Sequence, residues 1–158
     1  MPTYMLMEPK SDKRWLKMKI TNEKADYYLS VLKIISTKVS GKLGYAVARN
    51  IRELSTSLSE YTGIKNNLIT KYGENNGKEI ILSTESENYQ KYFQEIKDFA
   101  DIKHDVNIML VDPEDIYKSN LTADVISKIM FMVKDGEQVG WKRRNIYFTT
   151  AWEYKPNR

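Results

Sequence analysis

Leu43 to Tyr72, LGYAVARNIRELSTSLSEYTGIKNNLITKY, is the stretch on which the fold turns. Val47, Ile51, Leu54, Leu58 and Tyr61 follow four-three spacing, and Ile64, Leu68 and Tyr72 continue the stripe until Gly73 offers a C-terminal cap. The pattern predicts one amphipathic helix of about 30 residues, roughly 45 Å long at about 1.5 Å per residue. Gly63 is its weak point, costing about 1 kcal/mol relative to alanine, so a bend is expected there. Its seam is too short for a coiled coil and places Lys65 on the strict heptad positions, so packing against the chain's other helices is the expectation.

Working outward, Thr3 to Met7 and Arg14 to Ile20 read as strands joined by a Pro9-Lys10-Ser11-Asp12 turn. In the second, Leu16, Met18 and Ile20 alternate with Trp15, Lys17 and Lys19, the period of a strand with one buried face. Asn22 is read as the cap of a helix carrying Ala25, Tyr28, Leu29, Leu32 and Ile35. Beyond Gly73 the segment to Gly77 is a loop and Lys78 to Ser83 a short strand. Thr84 and Glu87 form a capping-box pattern ahead of a third helix with Tyr89, Tyr92, Phe93, Ile96 and Phe99 on its apolar face. Asp105 to Val111 is another strand, and Asp112-Pro113 opens a short helical turn. Thr122 caps a fourth main helix bearing Val125, Ile126, Ile129, Met130 and Val133, stopped by Gly136, and a last strand aligns Ile146, Phe148, Thr150, Trp152 and Tyr154.

The fold class expected is α+β: four main helices, one of them long, with a small, mostly antiparallel sheet that includes both terminal segments. A chain of 158 residues is read as a single domain, with an N-terminal hairpin over 1–20, a mainly helical core over 21–135 and a basic, aromatic strand region over 136–158. The chain has no cysteine, no apolar run of signal-peptide type and no stretch near the ~18 apolar residues of a membrane span. The expectation is a soluble cytoplasmic protein with no membrane partner.

Catalytic groups are sparse. His104 is the only histidine, flanked by Asp101 and Asp105, and is read as a strand-edge residue rather than a member of a triad. Asp98, Asp101 and Asp105, or Asp112, Glu114 and Asp115, carry oxygens but not calcium-loop spacing, and Asp112 reads better as a helix cap. Gly41-Lys42 lacks the upstream glycine and the following Ser or Thr of a phosphate-binding loop. No catalytic residue, metal site or cofactor is therefore assigned, and the chain is read as a non-enzyme.

Charge provides the one candidate surface. The net charge is +4, and residues 1–20 and 136–158 each carry +3 while the middle carries −2. Lys13, Arg14, Trp15 and Lys17 near one end, with Trp141, Lys142, Arg143 and Arg144 near the other, form the candidate partner-binding set. Arginine and lysine steer an acidic partner, and tryptophan stacks on a base or an arginine. The competing reading is a solvated turn with lysines guarding a strand edge. The partner expected is an acidic protein surface, with nucleic acid as the alternative, for a monomer or dimer.

The run Lys42-Leu43-Gly44-Tyr45-Ala46-Val47-Ala48-Arg49-Asn50-Ile51, continuing through Leu54, Leu58, Glu60, Tyr61, Leu68, Ile69, Lys71, Tyr72 and Gly73, resembles a family of small uncharacterised phage and prophage proteins of Gram-positive bacteria. Asp105-Val106-Asn107-Ile108, Glu114-Asp115-Ile116, Leu121-Thr122-Ala123 and Phe131-Met132 are similar in order and spacing, so the resemblance spans about Lys17 to Lys134. It implies a phage origin and carries no functional residues with it; the basic, aromatic ends look like additions to that core. Together these readings lead to a phage-encoded protein-binding module, an inhibitor of a bacterial defence nuclease of the anti-CRISPR kind, with a phage tail or particle assembly accessory and a nucleic-acid binder as alternatives.

Overall fold

The computed structural model describes residues 14–134. The expected strand at Thr3 to Met7 with its turn, the last strand, and Lys13, Trp141, Lys142, Arg143 and Arg144 lie outside the described residues. In chain order the elements are β1 (Trp15–Thr21), α1 (Asn22–Ile35), α2 (Gly41–Ser57), α3 (Ser59–Tyr72), β2 (Glu74–Asn75), β3 (Ile80–Ile81), α4 (Glu87–Ala100), β4 (Lys103–Met109), α5 (Pro113–Tyr117) and α6 (Ala123–Lys128), followed by a 3-10 turn at Met130–Met132. The class is α+β, with two two-stranded antiparallel sheets, β1-β4 and β2-β3, among the described residues.

β1 and β4 pair over their whole lengths, from Trp15 opposite Met109 to Thr21 opposite Lys103. Leu16, Met18 and Ile20 face the core side, where Val106, Ile108 and Leu110 are buried, and Trp15, Lys17 and Lys19 stand on the other face. Thr21, rather than Asn22, caps α1: its Oγ1 accepts from the Lys24 N–H at 3.1 Å. Asn22 is instead buried and ties α1 to the end of α4, donating from Nδ2 to the Phe99 carbonyl and from its backbone N–H to the Ile102 carbonyl, both at 2.9 Å. Ala25, Tyr28, Leu29, Leu32 and Ile35 are all buried, as their spacing requires.

The long helix is interrupted, and the break is at Leu58 rather than Gly63. Leu58 sits at φ −94° and ψ 2°, while the hydrogen bonds across it persist, Leu58 N–H to Leu54 O at 2.9 Å and Thr62 N–H to Leu58 O at 2.8 Å. Two causes converge there. The preceding Ser55-Thr56-Ser57 run is a weak helix former whose hydroxyls compete for backbone groups. The two halves also answer to different neighbours, α2 to α1 and β4, α3 to α4. Leu58, fully buried, lies between them. Lys65, the misfit of the coiled-coil seam, pairs with Asp26 of α1 at 2.7 Å, so the seam is used within the chain. Tyr61 packs beside this pair, and burial, then the Asp26 charge, pushes its hydroxyl up to about 12.

Three further expectations change. Ser86, not Thr84, caps α4, accepting from the Asn88 N–H at 3.2 Å, and Phe93 stays 46% exposed although its spacing marked it as apolar face. The strand expected over Lys78 to Ser83 reduces to Ile80–Ile81, paired with Glu74–Asn75 around a turn whose Asn76 Oδ1 accepts from both Lys78 and Glu79 N–H at 2.9 Å. The fourth main helix is shorter than expected: after α6, Ile129, Phe131, Met132 and Val133 are all buried, more than one face of a helix can cover. The chain tightens into the 3-10 turn, stacks Phe131 on Tyr28 with ring centroids 3.8 Å apart, and leaves Val133 bridging Val111 in parallel.

Asn50 joins the helical layer to the sheet. Leu110 N–H donates to the Arg14 carbonyl, so the Met109 N–H and carbonyl, one residue away, point to the opposite edge of β4. Asn50, completely buried on α2, satisfies both: its Oδ1 accepts from Met109 N–H at 2.7 Å and its Nδ2 donates to Met109 O at 3.0 Å, with Met132 Sδ 3.7 Å away. Replacing Asn50 by alanine strands two buried backbone groups and leaves a hole, so Asn50→Ala is expected to lower unfolding free energy by about 3 kcal/mol while Arg52→Ala, exposed on the same helix, stays within about 0.5 kcal/mol in urea denaturation. Gly63 is helical and a Cβ built there meets nothing within 4 Å, so Gly63→Ala is expected to raise stability by about 0.5–1 kcal/mol in the same measurement. A loss instead would contradict a helical, unobstructed Gly63.

Candidate interaction face

The site forms where the start of β1, the first turns of α2 and the end of β4 meet. Asn50 fixes α2 against Met109, and Trp15 lies opposite Met109 in the sheet, so the residue before Asn50 is carried to the tryptophan. Arg49 Cζ stands 5.3 Å from the centre of the Trp15 ring, a cation-π contact that orders an indole still 37% exposed. Lys17 stands two residues further along the same face, 3.7 Å from Asp105 with both side chains largely in solvent. Such a pair contributes little to stability and leaves the lysine's field accessible to a partner.

Beside Trp15 runs a groove of about 310 Å³, lined on the helix side by Lys42, Tyr45 and Ala46, and on the strand side by Arg14 and Met109 to Val111. Gly41 takes φ +63°, a conformation suited to glycine, and the helix turns directly into Lys42 and Tyr45. Tyr45 is 60% exposed. Asp112, Asp115 and Lys134 complete the lining. Asp112 opens α5 without the expected side-chain cap bond; its Oδ1 pairs instead with Lys134 Nζ at 3.1 Å.

Of the expected partner-binding set, Trp15 and Lys17 share a face of β1 and Arg14 lines the groove, with Lys13, Trp141, Lys142, Arg143 and Arg144 outside the described residues. What the residue reading missed is the contribution of α2. Lys42, Tyr45 and Arg49 recur at three- and four-residue intervals on the polar back of the stripe that marked the helix. That periodicity was available, but a polar helix back is ordinarily solvent-facing, and only the Asn50 contact makes it continuous with the basic start of β1.

The other candidates lie elsewhere. His104, opposite Ile20, is five residues from Met109 along β4, roughly 17 Å at about 3.3 Å per residue. Its Nε2 is buried and meets no hydrogen-bond partner among the described residues. Among the described residues no group of three or more His, Asp or Glu is placed to hold a metal ion, and no helix is long and apolar enough to cross a membrane. No protein family, curated protein or solved structure matches the chain.

Proposed function

We propose that this chain is a non-enzymatic binding module that docks an acidic protein surface on the face built by Trp15, Lys17, Lys42, Tyr45 and Arg49. The observation that carries this reading is the Arg49 guanidinium laid over Trp15 beside the exposed Tyr45. Tryptophan, tyrosine and arginine are the residue types that dominate binding energy at protein interfaces, and a ring already held in place loses less freedom on docking. The basic termini add a long-range field that speeds encounter with a negative partner.

The resemblance to phage and prophage proteins gives the biological form we propose: a phage-encoded inhibitor of a bacterial defence nuclease, of the anti-CRISPR kind, acting in the cytoplasm of the bacterial host. Assembly through the long helix is less favoured, because Val47, Leu54, Leu58 and Tyr61 of its seam are buried within the chain and Lys65 is engaged by Asp26.

Affinity capture from nuclease-treated lysate of a Gram-positive host, with the full chain as bait, tests the reading. The expected result is a protein retained by the unmodified chain and by Lys91→Glu on α4, and reduced at least about tenfold by Lys42→Glu/Arg49→Glu, two opposed charges across an interface together costing more than ~1.4 kcal/mol. Capture equally strong with the double reversal, or capture that disappears once nucleic acid is digested, contradicts it.

A further inference from the structure

The groove beside Trp15 has a chemistry more specific than a basic patch. Its volume of about 310 Å³ is at the small end of ligand sites, room for a pair of side chains rather than a large cofactor. Its lining combines apolar residues, Ala46 and Met109 to Val111, with charges of both signs. Lys42, Arg14 and Asp115 all line it, while Asp112 and Lys134 neutralise one another at 3.1 Å. A phosphate backbone gains from a lining of one sign, because each cation it meets releases counterions, and here it would run against the Asp115 carboxylate. A polypeptide does not have that difficulty, since it places charge and apolar surface on separate side chains.

Resting on the binding function proposed above, we propose that this groove seats an acidic side chain and a neighbouring apolar side chain of the partner protein. The apolar group packs against the apolar part of the lining around the half-buried Met109. The carboxylate meets the Lys42 ammonium on the α2 side, within reach of the Tyr45 hydroxyl as a second donor. Lys42, Tyr45 and Ala46 occupy one turn of α2, so the cation, the donor and part of the apolar lining move as a rigid unit. Trp15 and Arg49 then form the adjoining anchor, outside the groove.

The proposal is tested by titrating the isotopically labelled full chain with three probes and following backbone amide shifts. They are a pentapeptide carrying an aspartate between leucine and phenylalanine, the same peptide with asparagine, and a twelve-nucleotide thymidine oligomer. The aspartyl peptide is expected to shift the amides of Lys42, Tyr45, Ala46 and Val111 saturably, with an affinity at least about fivefold above that of the asparaginyl peptide, the scale of one ion pair of ~1 kcal/mol. Lys42→Glu and Tyr45→Ala, both at exposed positions, are each expected to weaken it about fivefold or more with the remaining spectrum unchanged. Equal affinity for the two peptides, shifts scattered away from the groove, or tighter binding of the oligomer to these same amides overturns it. If the groove variants leave lysate capture intact while Arg49→Glu abolishes it, the groove assignment fails and the binding function stands. If neither affects capture, both fail.

Discussion

One buried amide holds this architecture together. β4 presents Met109 with both backbone groups aimed away from β1, at an edge where the nearest element is a helix with no backbone groups to lend. Asn50 supplies in a single side chain the acceptor and the donor that a neighbouring strand would have supplied. A buried asparagine with either function unmet would be a liability, because each unpaired buried group costs about 1–3 kcal/mol. With both met it also fixes register, since a shift of α2 by one residue would put Ile51 or Arg49 against Met109. The next outward-pointing residue, Val111, is satisfied differently, by Met132 O and Lys134 N–H at 2.8 Å, so the edge is closed first by a helix and then by the returning chain.

This constraint divides the long helix and assigns its halves. α2 must lie along β4 to bring Asn50 to Met109, while α3 follows α4 and is held there by polar as well as apolar contacts. Lys71 bonds Glu95 at 3.0 Å, Tyr72 donates to the same carboxylate, and the Tyr72 carbonyl accepts from Asn88 at 3.2 Å. These donors, Tyr72 foremost and then Lys71, hold the Glu95 carboxyl below its usual range. Leu58 is the break between two well-anchored segments. The same placement of α2 carries Lys42, Tyr45 and Arg49 to the start of β1, so the face proposed for binding and the contact that secures the fold are two sides of one helix.

Much of this was readable from residue spacing, and the rest failed for identifiable reasons. The α1 stripe, the alternation of β1, and Asp112-Pro113 as the start of α5 follow from local periodicity and turn chemistry, and each is in place. Asn22 is a good capping type, but neighbouring Thr21 is nearly as good, and Asn22 is drawn inward by the Phe99 and Ile102 carbonyls, over seventy residues away in sequence. Gly63 was the weakest helix former in the long run, yet the break follows tertiary contacts at Leu58. The helix expected to reach Gly136 stops early because four of the five residues from Ile129 to Val133 must be buried together with Val111 and Tyr28. The binding face was half visible: Arg14, Trp15 and Lys17 announce themselves by charge and aromaticity, whereas α2 joins them only through Asn50, a polar residue that spacing alone assigns no partner.

Amide hydrogen exchange at Met109 tests the central contact most directly. With Asn50 as its acceptor, the Met109 N–H should exchange as slowly as the strand-paired amides of Ile108 and Leu110, through openings close to global unfolding. Exchange of Met109 at the rate of an open strand edge, while Ile108 and Leu110 remain protected, would show that the amide of Asn50 does not close this edge.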